Sequence, residues 1–219
     1  MKRVILLVVL AVAVNARAGV EITEWMYQGL GTGGLGEFVE FTNVGSTAID
    51  LTGWSYSDSH RRVGTNVIVD LSSFGTVAAD ESVIITERTV ADFRTVWGLS
   101  SWVKVLSIGT TGGANLARAD EINLYDSTTA LVDRLTYGDP GSNPVGTGPR
   151  TQGKSCNIPA SDYSLTVAPA TWVLSSVGDQ YGSWQSTAGE IGSPGQVPEP
   201  ATIATLALGG VALLRKRQK

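Results

Sequence analysis

The glycines of Gly31-Thr32-Gly33-Gly34-Leu35-Gly36 match the spacing G-x-G-x-x-G, which in some folds holds a dinucleotide. Such a loop follows a strand and opens a helix, whose N-terminus meets the pyrophosphate. Here the residues that follow the motif, 37–42, are predicted to form a strand instead. We therefore interpret the segment as a flexible loop between strands and expect no nucleotide cofactor.

Hydrolytic chemistry has few candidate residues in this chain. His60 is the only histidine, it lies in a polar stretch, and no G-x-S-x-G motif supplies a nucleophile. Cys156 is the only cysteine, so one His and one Cys cannot close a zinc site and no disulfide can form within the chain. We expect Cys156 to be buried and unreactive.

Carboxylates are numerous, with 20 Asp and Glu residues, and a calcium site needs six or more oxygen ligands. The candidate ligands are Asp120, Glu121, Asn123 and Asp126 in one group, and Asp139 and Asn143 in another. Neither group has the spacing of an EF-hand loop, and we expect these acids to be solvated turn residues. A glycosidase pair of carboxylates is conceivable, but no acid stands out. We predict no cofactor, and calcium stays an open alternative without support.

A surface that binds sugar rings would need exposed aromatic side chains. The candidates are Trp97, Trp102, Trp172, Trp184, Tyr163 and Tyr181. Packing in the core is the commoner fate of such residues. Trp184, which lies among small polar residues, is predicted to be the most exposed.

The elements that position these residues are predicted to be strands. The body of the chain, 19–196, has the length of one large all-β domain. In it, short β-branched or aromatic runs alternate with Gly, Ser, Asn and Asp clusters, which is typical of an antiparallel sandwich or barrel. The predicted strands are 20–27, 37–42, 54–57, 66–71, 82–86, 103–107, 121–125, 131–137 and 171–175.

One helix and two irregular segments complete this prediction. Thr89 can cap a helix that ends at Gly98, with Val90, Phe93, Val96 and Trp97 on one face. The stretch 139–154 is predicted to be a long loop, and 186–197 a short spacer.

Two stretches indicate where the core lies. In the strand 37–42, Val39 and Phe41 share one face, so this side is expected to pack inward. After a turn at 43–45, Leu51, Trp54 and Tyr56 are predicted to return to the core, where a Trp buries a large area.

The N-terminal residues have the pattern of a secretory signal peptide. Lys2 and Arg3 precede an apolar run at 4–14, which is too short to span a bilayer comfortably. Ala16 and Ala18 form a small-x-small cleavage site. We therefore predict that signal peptidase removes 1–18 and that the mature chain begins at Gly19.

Residues 197–219 combine a breaker motif, an apolar run and a basic end. Pro198, Glu199 and Pro200 precede the run 201–214, and 215–219 is basic. The run is shorter than the ~20 residues that a permanent span prefers, and its basic end fits retention at the cytoplasmic side. The arrangement resembles the PEP-CTERM sorting signal of exosortase-containing Gram-negative bacteria. A plain C-terminal anchor is the less favoured alternative.

This resemblance implies a route for the protein. The chain would be exported and would stop transiently in the inner membrane through a hydrophobic helix at 201–214. Exosortase would then remove the tail near the motif. The product would reach the cell surface or its extracellular matrix.

The charge of the body disfavours binding to nucleic acid. Of 16 basic and 20 acidic residues in the chain, seven basic residues and one acidic residue lie outside 19–198. Nine basic and 19 acidic residues remain, a net charge of −10. A body so acidic repels phosphate backbones and lacks the basic stripe of a nucleic-acid binder.

Several blocks in the body resemble the lamin-tail domain, an immunoglobulin-like β-sandwich found in nuclear lamins and many secreted bacterial proteins. The blocks are 22–24, 36–45, 49–54, 115–116, 122–126, 131–138 and 192–195, in that order. The resemblance implies that these are scaffold positions, and it carries over no catalytic residue.

We therefore expect a non-enzymatic, exported surface or matrix protein with a structural or adhesive role. The domains are the signal peptide 1–18, the sandwich 19–196 and the sorting signal 197–219. The alternative is a carbohydrate-binding module that retains exopolysaccharide, and an orphan hydrolase is the least favoured function. Partners would be signal peptidase and exosortase, with exopolysaccharide or other surface proteins as further candidates.

Overall fold

Two packed β-sheets dominate the computed structural model, which describes residues 19–58, 69–110, 114–138, 149–159 and 172–196. In chain order the strands are β1 (Val20–Met26), β2 (Phe38–Asn43), β3 (Ile49–Asp50), β4 (Ser55–Ser57), β5 (Val69–Asp70), β6 (Thr76–Val77), β7 (Ser82–Thr86), β8 (Lys104–Ser107), β9 (Asp120–Tyr125), β10 (Leu131–Tyr137), β11 (Cys156–Asn157), β12 (Val173–Leu174), β13 (Trp184–Gln185) and β14 (Ile191–Gly192). Helix α1 (Val90–Trp97) lies between β7 and β8.

The larger sheet has the order β12-β11-β1-β2-β7-β8, and the smaller has the order β10-β9-β4-β5. Neighbouring strands are antiparallel except β7 and β8, which are parallel and are joined through α1. Two short ladders, β3–β6 and β13–β14, flank the sheets. The predicted all-β, immunoglobulin-like sandwich with one short helix is confirmed.

The predicted strands agree best where the periodic pattern is longest. β7 and β10 match the predicted bounds, β1 and β9 differ by one residue at one end, and β2 is shifted by one residue at both ends. The structure adds β3, β6, β11, β13 and β14, each of two residues. A two-residue strand has too short a pattern to be recognised, because its pairing depends on a distant partner.

Helix α1 begins and ends where the local chemistry predicted. Thr89 is its N-cap, and the hydroxyl oxygen of Thr89 accepts a hydrogen bond from the N–H of Asp92. Gly98 takes a left-handed conformation with φ 65° and ends the helix. Phe93, Val96 and Trp97 are buried on the face that packs on the large sheet. Among the described residues, no helix is long and apolar enough to cross a bilayer.

The main core lies between the two sheets. Val39 and Phe41 point into it as predicted, together with Leu51 and Tyr56, which are fully buried. Trp25 packs against Tyr137 with ring centroids 4.2 Å apart. Trp54, expected in this core, is only partly buried at its edge.

The opposite face of the large sheet is also covered, which the alternation in β2 did not predict. Phe38 and Ile84 lie in a second apolar cluster with Phe93 and Trp97 of α1. Glu40 lies on the same side as Phe38 and is 1% exposed. The cover comes from α1 and from residues 183–196, which we call the C-terminal segment.

The C-terminal segment corrects two predictions. It contains β13 and β14 and packs against α1, so most of the predicted spacer 186–197 is part of the folded domain. Trp184 is half-buried against Trp97, with ring centroids 5.6 Å apart. Trp102, not Trp184, is the exposed tryptophan of the described residues.

Candidate functional site

The Gly-rich loop before β2 folds around a carboxylate of this same chain. Glu190 is fully buried, and its Oε1 accepts a hydrogen bond of 2.9 Å from the N–H of Leu30. A Cβ atom at Gly29 or Gly36 would overlap this oxygen. The glycines are therefore required because the loop approaches a side chain closely.

The backbone of the loop excludes the dinucleotide interpretation, as the sequence indicated. Thr32–Gly34 forms a single 3-10 turn with Gly33 at φ 76°, and the strand β2 follows rather than a helix. No helix N-terminus is thus available for a pyrophosphate at this loop. The predicted loop between strands is confirmed, and the anion that it holds is Glu190.

Arg88 connects this carboxylate to the rest of the domain. Its side chain is 5% exposed and donates hydrogen bonds to Glu190 Oε1 and Asp92 Oδ2, both at 2.9 Å. It also donates to the carbonyl oxygen of Leu35 at 3.0 Å. One guanidinium therefore joins the Gly-rich loop, helix α1 and the C-terminal segment.

Two further buried acids hold the end of the C-terminal segment. Glu24 Oε1 accepts hydrogen bonds from the hydroxyl of Ser155 at 2.5 Å and from the N–H of Ser193 at 2.7 Å. Glu40 Oε2 accepts from the N–H of Gly195 at 2.6 Å. Both acids are 1% exposed, so the segment is fixed to the large sheet as far as Gly195.

The surroundings favour the neutral form of these two acids. Burial raises the pKa of Glu24, and the neighbouring charge of Glu40 raises that pKa further. Burial also raises the pKa of Glu40, which the hydrogen bonds from Gly195 and Ser82 partly offset. Glu24 Oε2 has no hydrogen-bond partner, which makes it the oxygen suited to carry a proton.

An open cavity of about 460 Å³ lies beside the Gly-rich loop. Its polar lining includes Tyr27, Gln28, Glu37, Glu87, Asn115 and Arg118. Burial raises the pKa of Glu37 to about 9, opposed by a backbone hydrogen bond from Leu116 and reinforced by the charge of Glu87. Amides, a guanidinium and a neutral carboxyl suit hydrogen bonding to hydroxyl or amide groups of a ligand.

The first group of calcium candidates is not brought together. Asp120 Oδ2 accepts from the N–H of Ala117 at the start of β9, whereas Asp126 Oδ1 accepts from Thr128 and Ala130 in the turn after it. Asn123 donates to the carbonyl oxygen of Ser57 at 3.2 Å. In the part of the chain that the structure describes, no three His, Cys, Asp or Glu residues form a metal-holding group.

The expectation that these acids are solvated is wrong for two of them. Asp120 is 9% exposed and Glu121 is 5% exposed. Burial raises the pKa of Asp120 to about 6, although hydrogen bonds from Ala117 and Glu121 lower it. Asp126 is the turn residue that the sequence indicated, and hydrogen bonds from Thr128 lower its pKa.

Cys156 is buried, as predicted, and burial raises the pKa of its thiol. The remaining candidates lie outside the described residues. These are Ala16, Ala18, His60, Asp139, Asn143, Tyr163, Pro198, Glu199 and Pro200.

Sequence reasoning missed the acids that organise the C-terminal segment. Glu24 and Glu40 carried a weak signal, since each is a charged residue within an otherwise largely apolar strand. Glu190 carried none, because it follows the turn residue Gly189 in a stretch without periodicity.

Comparison with protein families confirms both resemblances. A family model described as Lamin Tail Domain matches residues 13–139. A second, described as PEP-CTERM protein-sorting motif, matches residues 196–218. A comparison with curated proteins gives no match.

Proposed function

The chain belongs to the Lamin Tail Domain family, and we propose that it is a structural or adhesive protein of the cell surface without enzymatic activity. The sorting motif makes it an exported surface protein of bacteria, processed by exosortase. The matched domain is a non-catalytic immunoglobulin-like sandwich. The structural or adhesive role is our proposal for what this sandwich does after delivery.

The hydrogen bonds of three buried acids support the proposal that the protein is not an enzyme. Glu24, Glu40 and Glu190 each accept a hydrogen bond from a backbone N–H elsewhere in the chain. A carboxylate that is engaged in this way and shielded from water supports the fold rather than a reaction. These three acids are thus committed to holding the sandwich together.

We also propose the domain organisation and the route. Signal peptidase would cleave after Ala18, giving a mature body of 19–196 followed by the sorting signal 197–219. In a Gram-negative cell, the segment 201–214 would stop in the inner membrane. Cleavage near Pro198, Glu199 and Pro200 would then release the body to the surface or the matrix.

Attachment assays on the native host test the role. Cells without the gene should adhere less or form less coherent matrix than wild-type cells. The full gene should restore the phenotype, whereas a gene that ends at Gln196 should not, because its product lacks the sorting motif. Unchanged attachment, or turnover of a substrate in a broad hydrolase screen, would overturn the proposal.

A second candidate function is binding of exopolysaccharide in the cavity beside the Gly-rich loop. A platform of exposed rings is not supported, because Trp97, Trp172 and Tyr181 are buried. The cavity instead offers Gln28, Asn115 and Arg118 to sugar hydroxyls.

Pull-down with purified host exopolysaccharide separates the two functions. Binding that Asn115→Ala weakens at least tenfold would favour the carbohydrate module, with the exposed amide variant Gln185→Ala as the control outside the cavity lining. Absence of binding by the wild-type chain would favour the structural role.

A further inference from the structure

Trp102 is the most exposed large apolar residue in the part of the chain that the structure describes. Its side chain is 75% exposed, whereas Trp25, Trp97 and Trp172 are at most 5% exposed. It lies in the turn at residues 100–103, between α1 and β8. Single exposed apolar residues are common on proteins, so its position decides whether it has a role.

The turn holds Trp102 in a fixed place. The N–H of Val103 donates to the carbonyl oxygen of Ser100 at 3.3 Å. Arg94 donates to the carbonyl oxygens of Ser101 and Val103, at 3.3 and 2.6 Å. Val103 is buried in the apolar cluster under the turn. The indole is therefore presented on an ordered backbone and loses little conformational entropy on binding.

The same turn lies where the chain leaves the domain toward the sorting tail. A Cβ atom at Gly195 would lie 3.3 Å from a methyl group of Val103 and 3.9 Å from one of Leu99. Gly195 is fixed by its hydrogen bond to Glu40. Only five residues lie between it and Ala201, where the apolar run begins, so these six chain steps reach about 20 Å at most. When the tail lies in a bilayer, the turn is within this distance of the membrane.

Two cationic residues lie next to the turn. Arg94 lies at the base of the turn, and Lys104 follows it by one residue in β8. Lys104 also pairs with Glu81 at 3.1 Å, with both side chains partly exposed. Trp is enriched in the headgroup region of a bilayer, and basic residues beside the turn are attracted to anionic headgroups.

We propose that the turn at 100–103 docks on the lipid headgroup interface, with Trp102 inserted, while the sorting tail holds the chain in the membrane. This docking rests on the membrane-held intermediate of the proposed function. One Trp binds a bilayer weakly, but the tail keeps it at a high effective concentration near the surface. After the tail is removed, this advantage is lost and the domain leaves the membrane.

Fluorescence quenching on vesicles tests the proposal with the full chain. The vesicles contain phosphatidylethanolamine and phosphatidylglycerol, with or without bromine on the acyl chains near the headgroups. Trp102 is one of six tryptophans in the chain. Brominated lipid should therefore lower the total Trp emission of the wild type by about one sixth. Trp102→Ser should show no such loss, because the other tryptophans of the described residues are buried or half-buried.

Two controls make the result specific. Val177→Ser alters another exposed apolar residue, 63% exposed, and should be quenched like the wild type. Trp102→Ser should keep the melting temperature of the wild type, since the ring is exposed. Equal quenching of wild type and Trp102→Ser on vesicles that carry the chain would overturn the docking proposal.

Two other results would also overturn it. A change in Trp102 emission caused by soluble exopolysaccharide, without quenching by brominated lipid, would assign the ring to a sugar instead. Failure of the full chain to float with vesicles at all would remove the membrane-held intermediate as well. Flotation without quenching would reject the docking alone, which separates the two failures.

Discussion

A buried charge has different consequences at each position in this protein. Glu190 is fully buried but is met by Arg88 and by the N–H of Leu30. Glu24 and Glu40 accept from hydroxyl and backbone donors, and neither forms an ion pair with another described residue. The first acid is therefore held as one half of an ion pair, whereas the other two are pushed toward the neutral form.

Replacement of Glu190 should be strongly destabilising. Glu190→Ala leaves the guanidinium of Arg88 buried without its main partner and opens a void in the Gly-rich loop. We expect the free energy of unfolding to fall by about 3–5 kcal/mol, as for other broken buried pairs.

Asp92→Ala is the matched control, because it removes the other carboxylate on Arg88 at a site 45% exposed. We expect it to cost at most about 1 kcal/mol. Denaturant titrations of both variants give the comparison. Equal effects would mean that the buried pair contributes no more than the exposed one.

The domain should be most stable in mildly acidic solution. The pKa values of Glu24, Glu40 and Asp120 are raised in the folded state, and that of Glu37 is raised to about 9. Between the ordinary carboxyl pKa and these raised values, the folded chain binds more protons than the unfolded chain. Stability is therefore present in full near pH 4.5 and is lost as the pH rises to about 9.

Three exposed acids have the opposite effect on the pH dependence of stability, but only at lower pH. Hydrogen bonds from Thr52, Ser72 and Thr128 lower the pKa values of Asp50, Asp70 and Asp126, so their contribution is lost as the solution becomes more acidic. Melting temperatures from pH 3 to 9 should thus pass through a maximum near pH 4.5. Glu37→Gln should flatten the decline between pH 7 and 9, and an unaltered slope would contradict the assignment to Glu37.

At the scale of elements, the C-terminal segment is a cover for the second face of the large sheet. Trp184 and Ala188 add to the apolar cluster of α1, and Thr187 donates its N–H to the carbonyl oxygen of Val96. Ser193 and Gly195 supply donors to the buried acids. The segment therefore stabilises both the apolar and the polar half of this face.

Truncation tests the importance of this cover. A chain that ends at Gln196 retains every contact just described, whereas one that ends at Gly182 loses them. Two or three lost hydrogen bonds to carboxylates cost roughly 1.5–3 kcal/mol each. The shorter chain should melt about 10 °C lower or more. Calorimetry of the two truncations decides this, and equal melting temperatures would restore the spacer interpretation.

At the scale of the whole molecule, the folded body ends beside the sorting motif. Gly195 is still bound to Glu40, and the N–H of Gln196 donates to the carbonyl oxygen of Ser193. Pro198 follows only two residues later. Cleavage near this motif, as we propose, would therefore take place close to the sandwich.

Processing can be measured directly in the native host. Mass spectrometry of the surface protein should find an N-terminus at Gly19 and no residues from the basic end 215–219. Glu199→Ala should leave a longer product in the membrane fraction, because the motif is altered. An intact basic end on surface material would contradict sorting and leave a plain anchor.

The sequence alone determined the C-terminal sorting motif, the fold class and the longer strands, because these depend on local composition and short-range periodicity. It also determined helix α1, since Thr89 and Gly98 carry their own end signals. Only the tertiary structure decided which faces are covered and which charges are buried. Glu24, Glu40 and Glu190 meet partners up to 169 residues away in the chain, the separation of Glu24 and Ser193, and such pairing leaves no periodic trace. For the same reason, Trp102 is the exposed tryptophan where Trp184 was expected to be. Burial depends on what folds over a residue, not on its neighbours in sequence.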